Sequence, residues 1–285
     1  MKSFFVTDLH GNVSAFRTLF RLISEERPGL VFIGGDLLSG GFLKGAVHNG
    51  DVLNQIIAEG LQAVRDELQD AYPHVFIIMG NDDPRSEEPI LRKYDRRRLW
   101  HYINQKQFNC NGISVYGYSY VPPSPFLNKD WERYDVSAYV DIGCISPEEG
   151  YRSVKVSPTE IQTSTIQDDL QKLTEGRDLS NSVFLFHAPP YDTGLDRAPL
   201  DGRMIDFVPL DVHVGSIAIR RFIEERQPLV TLHGHIHESY ELTGVWKQVI
   251  GNTVCLSAAS TGKALTLVRF DTDNPHAAHR EEIPA

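Results

Sequence analysis

Five short apolar runs, at residues 4–6, 30–33, 75–79, 183–186 and 229–232, each lead into side chains able to hold a metal. Runs of this length with little polar alternation read as strands buried on both faces of a parallel sheet. The segments that close them are Asp8-Leu9-His10, Gly35-Asp36, Gly80-Asn81, His187 and Gly234-His235-Ile236-His237. In open α/β sheets, ligands gather outside the carboxyl ends of the strands, so five such ends are expected to converge on one site.

The order of elements fits that expectation. From residue 3 the pattern is strand, helix (about 13–26), strand, loop, helix (about 51–71), strand, a βαβαβ arrangement that favours a parallel sheet. Asn12 is placed to cap the first helix, and Pro28-Gly29 to stop it. Residues 86–99, polar and rich in arginine, read either as a helix over the site or as a solvated face. Residues 112–121 alternate like a strand, and Pro122, Pro123 and Pro125 then open an irregular, aromatic-rich insertion at about 122–158. A helix is predicted at about 159–173, a long loop to about 214, and a helix at 215–226 stopped by Gln227-Pro228. Residues 239–271 read as short strands with a turn at Gly251-Asn252. These elements predict one domain over 1–273, followed by a frayed C-terminal tail at 274–285.

The 285 residues suffice for one well-buried domain, and 41% hydrophobic with 23% charged residues is ordinary for a water-soluble chain. A formal charge of −10 argues against stable nucleic-acid binding or attraction to an anionic membrane. An anionic substrate would need local help, which divalent metals supply. Cys110, Cys144 and Cys255 form no close pair, so neither a disulfide framework nor a zinc ribbon is indicated, and a cytoplasmic location is expected. No apolar stretch approaches the length of a signal peptide or a membrane span.

Each strand-end cluster is weak when read alone. Asp8-x-His10 also suits a turn and helix start, Asp36 a cap, and Asn81 a turn. Asp36 follows Gly34-Gly35, where the backbone can turn tightly, and its two oxygens can bridge ions about 3.5 to 4 Å apart. The pair His235 and His237 is more specific, because imidazoles bury poorly without partners.

Taken together, Asp-x-His, Gly-Asp, Gly-Asn, His and Gly-His-x-His resemble the calcineurin-like metallophosphoesterase superfamily, over about residues 4–260. The resemblance implies a four-layer αββα sandwich of two mixed β-sheets flanked by helices. It also implies that Asp8, His10, Asp36 and His237 hold one metal, and that Asp36, Asn81, His187 and His235 hold the other. Two divalent or trivalent ions so held would polarise a phosphoryl group and generate a hydroxide for in-line attack on a phosphate ester. The mixed nitrogen and oxygen ligands suit Mn, Fe, Zn or Ni better than Mg or Ca.

One position departs from the pattern. Much of the family has a histidine after the metal-binding asparagine, where this chain has Asp82. Near two cations a carboxylate is held ionised and donates protons poorly, so the expected substrates are phosphodiesters, small or nucleotide-like, rather than alkyl monoesters. Arg85 and His213 join Asp82 as candidate catalytic groups, Arg85 as a phosphate ligand and His213 as a replacement for the histidine. The alternatives are a phosphomonoesterase, a Ser/Thr protein phosphatase, and a binding module on the same fold that has lost catalysis.

Overall fold

The computed structural model describes residues 1–39 and 51–284. Strands β1 (Lys2–Val6), β2 (Leu30–Ile33), β3 (His74–Ile77) and β4 (His101–Tyr102) run parallel. A second group comprises β5 (Lys106–Cys110), β6 (Ile113–Tyr118), β7 (Ser182–Phe186), β10 (Val230–His233), β11 (Lys247–Ile250) and β12 (Thr253–Ser257). A small hairpin, β8 (Met204–Ile205) and β9 (Val208–Pro209), stands apart, and β13 (Leu265–Asp271) and β14 (Asn274–Ile283) close the chain.

These strands form two six-stranded mixed sheets, ordered β14-β13-β1-β2-β3-β4 and β11-β12-β10-β7-β6-β5. Phe5, Phe32 and Phe76 lie in register across β1, β2 and β3. They belong to the core shared with Val183, Leu185, Val230 and Leu232 of the second sheet. Their neighbours Phe4, Val6, Val31, Ile33, Val75 and Ile77 alternate to the other face and pack with the helices. Both faces are therefore dry, which is why the strands read as continuous apolar runs.

The helix Val13–Glu26 buries Phe16, Leu19, Phe20 and Ile23, the spacing that turns one stripe onto a sheet. Asn12 Oδ1 accepts the Ala15 N–H at its start, and Arg27 turns left-handed at φ 47° at its end. On the second sheet, Ile217–Arg226 buries Ala218, Ile219, Phe222 and Ile223 and is capped by Ser216. The four-layer expectation holds.

Several boundaries differ from the sequence reading. The helix expected at 51–71 begins with a wider π-helical segment, Val52–Ala58, continues as Glu59–Leu68, and ends in a 3-10 turn, Gln69–Ala71. The helix expected at 159–173 is two, Pro158–Thr163 and Ile166–Thr174, because Thr165 leaves helical geometry and caps the second through the Asp168 N–H. Residues 239–243 form a short helix ended by Gly244 at φ 69°, where a strand was expected. The long loop before 214 contains the β8–β9 hairpin.

The largest correction concerns the C-terminal tail. Residues from Asn274 do not fray; they pair along β13 from Asp271↔Asn274 to Leu265↔Ile283, and Ala278 enters the inter-sheet core. Their side chains are mostly polar, so the signal for a strand lies in the free backbone edge of β13, which local sequence does not display.

Candidate metal centre

The seven expected ligands all leave the carboxyl ends of β1, β2, β3, β7 and β10, and the turns that carry them are strained. Asp8, His10, Asp36 and His235 are non-glycine residues at φ 56°, 43°, 48° and 74°. Each such residue costs on the order of 1 kcal/mol or more, and such strain gathers where side chains must be aimed. Close packing of the backbone explains two glycines. A Cβ at Gly80 would stand 2.3 Å from Asp36 Oδ1 and 2.5 Å from His187 Cε1, and one at Gly234 would stand 2.7 Å from Asp8 Oδ2.

Four ligands close into one compact group. Ligand atoms of Asp8, His10, Asp36 and His237 lie within 4.8 Å of one another. His10 Nε2 faces His237 Nε2 at 3.2 Å, and His237 Nε2 lies 3.5 Å from Asp8 Oδ1. Two imidazole nitrogens and two carboxylates directed at one point is the donor set of a transition-metal site.

Asp36 also reaches the other group. Its Oδ2 lies 3.9 Å from His10 Nε2 and 3.4 Å from His187 Nε2, while Oδ1 accepts the Asp82 N–H at 2.8 Å. His187 Nε2 meets Asn81 Oδ1 at 3.0 Å, and its Nδ1 is held by the Gly34 carbonyl at 2.8 Å, which fixes the ring so that Nε2 faces the site. The His235 ring sits 5.3 Å from that of His187, and its backbone N–H points at the Asp8 carboxylate. Asp36 and Asn81 thus both meet His187 Nε2, with His235 at the margin.

Electrostatics agree with this donor chemistry. Burial opposes charge on Asp36, yet the adjacent His187 holds its carboxyl well below the usual range; Asp8 is lowered against burial by its hydrogen bond with His237. Burial also opposes protonation of both histidines, yet Asp36 raises His187 to about 10 and Asp8 raises His237 to about 9. His235 moves the other way, to about 3, through burial and repulsion from His187. Protons therefore occupy the positions that cations would take.

Two outcomes follow from these signs. Metal uptake at pH 7.5 is expected to release about two protons per chain, read by calorimetry in buffers of different ionisation enthalpy. Release near zero would show that these histidines are not displaced. For metal-stripped protein, raised histidine values mean a contribution to stability that is complete below about pH 6.5 and lost as pH climbs through 9 to 10. Its melting temperature should fall over that window, and a flat profile would contradict the assignment.

A family model described as calcineurin-like phosphoesterase matches residues 1–239. The chain belongs to that family. Over 103 residues, 35% of this chain, it is 33% identical to the uncharacterized protein MJ1162 of Methanocaldococcus jannaschii, a match that spans only 40% of that relative. The protein TT1561 of Thermus thermophilus superposes with a TM-score of 0.57 at 13% identity, covering 99% of this chain and 98% of that one. A further solved structure superposes with a TM-score of 0.60 at 15% identity, covering 99% and 98% of the two chains. These likenesses show the fold. Beside that membership stands a candidate metal site at Asp8, His10, Asp36 and His237.

In this calcineurin-like phosphoesterase the candidate ligands border a cleft of about 350 Å³, lined by Asp36, Asn81, Asp82, His235 and His237 on one side. Pro122–Phe126 from the insertion and Ala198–Leu200 from the long loop form the other walls. The insertion is fastened to the metal loop. Trp131 Nε1 donates to the Asp83 carbonyl at 2.8 Å, Asn128 Nδ2 to the Asn81 carbonyl at 3.0 Å, and the Arg85 N–H to Asp130 Oδ2 at 2.9 Å. Inside the insertion, the buried Lys129–Glu132 pair holds Ser124 through its carbonyl, N–H and hydroxyl.

Of the other three candidates, only Asp82 faces the cleft. It lies 3.8 Å from His10 Nδ1 and accepts from Asn81 Nδ2 at 3.0 Å. Burial first and the Asp36 charge second raise its pKa, and bound cations would act in the opposite direction. Arg85 turns away, its guanidinium 5.4 Å above the Trp131 ring and 3.9 Å from Glu88. His213 is likewise outside the metal group, its Nδ1 on Asp196 Oδ1 at 2.8 Å and its Nε2 3.6 Å from Asp192. The arginine-rich stretch forms the helix Glu88–Arg96, where the half-exposed Arg92 pairs with the buried Glu88. His233 is a packed core residue, bonded to the Ala188 carbonyl and Thr231 hydroxyl and lowered to about 4 by burial.

The residue that sequence reading passed over is Asp83. Fully buried, it accepts N–H bonds from Leu37, Leu38 and Gly80, and so ties the Asp36 turn to the Asn81 turn. Its signal was the adjacent Asp82-Asp83 pair, which local sequence cannot divide into one cleft residue and one buried clamp.

Proposed function

We propose that the chain is a two-metal phosphodiesterase acting on small or nucleotide-like esters. The observation that carries this reading is the position of Asp36, whose Oδ2 lies between His10 of one ligand group and His187 of the other. Asp8, His10, Asp36 and His237 would hold one ion, and Asp36, Asn81, His187 and His235 the second. Bound there, two cations would activate a water for attack and offset phosphoryl charge. The Asp82 N–H fixes the Asp36 carboxylate, and the Gly34 carbonyl fixes His187.

The diester preference rests on Asp82. As a carboxylate beside cations it supplies no proton to a poor leaving group and repels the extra charge of a monoester. The walls at 122–126 and 198–200 favour small substrates over a folded protein surface.

The test is a screen of aryl and cyclic phosphodiesters against monoesters with Mn, Ni, Zn and Fe. Aryl or cyclic diesters are expected to be cleaved fastest; a panel on which alkyl monoesters are far faster would overturn the preference. Asp82→His is expected to raise monoester turnover relative to diester by about tenfold or more, as a restored general acid would. An unchanged ratio would show that position 82 does not set preference. Metals bound without turnover of any ester would favour a binding role.

A further inference from the structure

Beside the metal cleft lies a second chamber, also of about 350 Å³. The two share Pro122, Pro123, Pro125, Cys144, Leu200 and Val214 as walls, so the chamber adjoins the metal cleft. Its remaining lining is largely apolar, with Val136, Ile142, Ile205 and Leu210 beside Tyr139 and Tyr191. The β8–β9 hairpin forms one lip. It approaches the insertion at Gly143, where an added Cβ would stand 3.0 Å from Ile205 Cδ1.

Two further features describe what fits there. Tyr139, Ile142 and Ile205 at the mouth are 68%, 45% and 41% exposed, apolar surface that an apolar occupant would cover. The polar groups bias the charge. Asp135, Asp141 and Asp211 line the chamber together with the single arginine Arg203 and with His213, whose ring is held by Asp196. Asp135 is committed to Ser216 and the N–H groups of Ile217 and Ala218, and Asp211 to Tyr191 and the His213 N–H. Asp141 has no ion pair among the described residues, and burial and the Asp211 charge raise its pKa.

We propose that this chamber receives the leaving group of the ester, an apolar aryl or alkyl alcohol that carries no negative charge. The inference rests on the phosphoesterase reading of the adjoining cleft. A water oxygen bonds to phosphorus, the P–O bond to that alcohol breaks, and the alcohol departs with a proton from the water. A second phosphate or a carboxylate on the leaving group would face Asp141 and Asp211 and be rejected.

Two variants at exposed positions test this without disturbing the core. Asp141→Lys is expected to raise kcat/KM for methyl 4-carboxyphenyl phosphate, relative to methyl 4-acetylphenyl phosphate, by about tenfold. Ile142→Asp is expected to lower kcat/KM for methyl 4-biphenylyl phosphate about tenfold more than for methyl phenyl phosphate. Equal changes across all esters, or none, with methyl phenyl phosphate still hydrolysed, would overturn the chamber assignment and leave the phosphoesterase reading standing. If wild-type protein hydrolyses no ester with any of the four metals, both readings fall together.

Discussion

Asp36→Asn is expected to lower turnover of an aryl phosphodiester by about 10³-fold and to reduce the metal bound per chain, while the Asp82 N–H keeps an oxygen to bond. Asparagine preserves the shape of the side chain, and its amide oxygen can still accept at the Oδ1 position. What is lost is the charge and the second oxygen that faces His10 and His187 together. Elemental analysis of the purified variant and a kcat measurement under saturating metal decide the matter. Full metal content with turnover within threefold of wild type would show that Asp36 does not link the two groups.

Asp83→Ala should act through the scaffold. It leaves the buried N–H groups of Leu37, Leu38 and Gly80 without a partner, each at about 1 to 3 kcal/mol. A loss of a few kcal/mol corresponds to a fall in melting temperature of roughly 10 °C in a domain of this size. Metal affinity should fall with it, because the Asp36 and Asn81 turns are no longer tied. Asp83→Asn, which keeps one acceptor oxygen, should lose less. A melting temperature unchanged in Asp83→Ala would show that water or a local shift satisfies these donors and that the clamp is unimportant.

The predictions differ because Asp36, Asp82 and Asp83 differ in surroundings rather than in kind. Asp36 and Asp83 are both buried carboxylates, yet Asp36 is held ionised by His187, whereas burial and the Asp36 charge push Asp83 up to about 8. Asp82, one residue away, is turned into the cleft.

The strands and the seven candidate ligands were legible because apolar runs and the polar residues that end them are local features of the chain. The same holds for the Asn12 cap, set by a side chain bonding three residues ahead. Legibility failed where the partner was remote. His213 sat correctly in the loop after His187, but Asp196 captures it; Arg85, four residues from Asn81, is turned onto Trp131 by the insertion. The 274–283 segment lacks an apolar pattern of its own, and its strand exists because β13 offers an unpaired edge.

The sequence alone determined the buried parallel strands and the candidate metal-ligand side chains, since burial on both faces demands unbroken apolar runs and ligand chemistry demands particular atoms; the two-sheet sandwich was implied by the family resemblance. Only the tertiary structure decided how those atoms meet: which carboxylate clamps a turn and which faces the cleft. Those roles depend on contacts between residues as distant as Asp8 and His237, whose distances are set by sheet packing and by strained turns rather than by spacing along the chain.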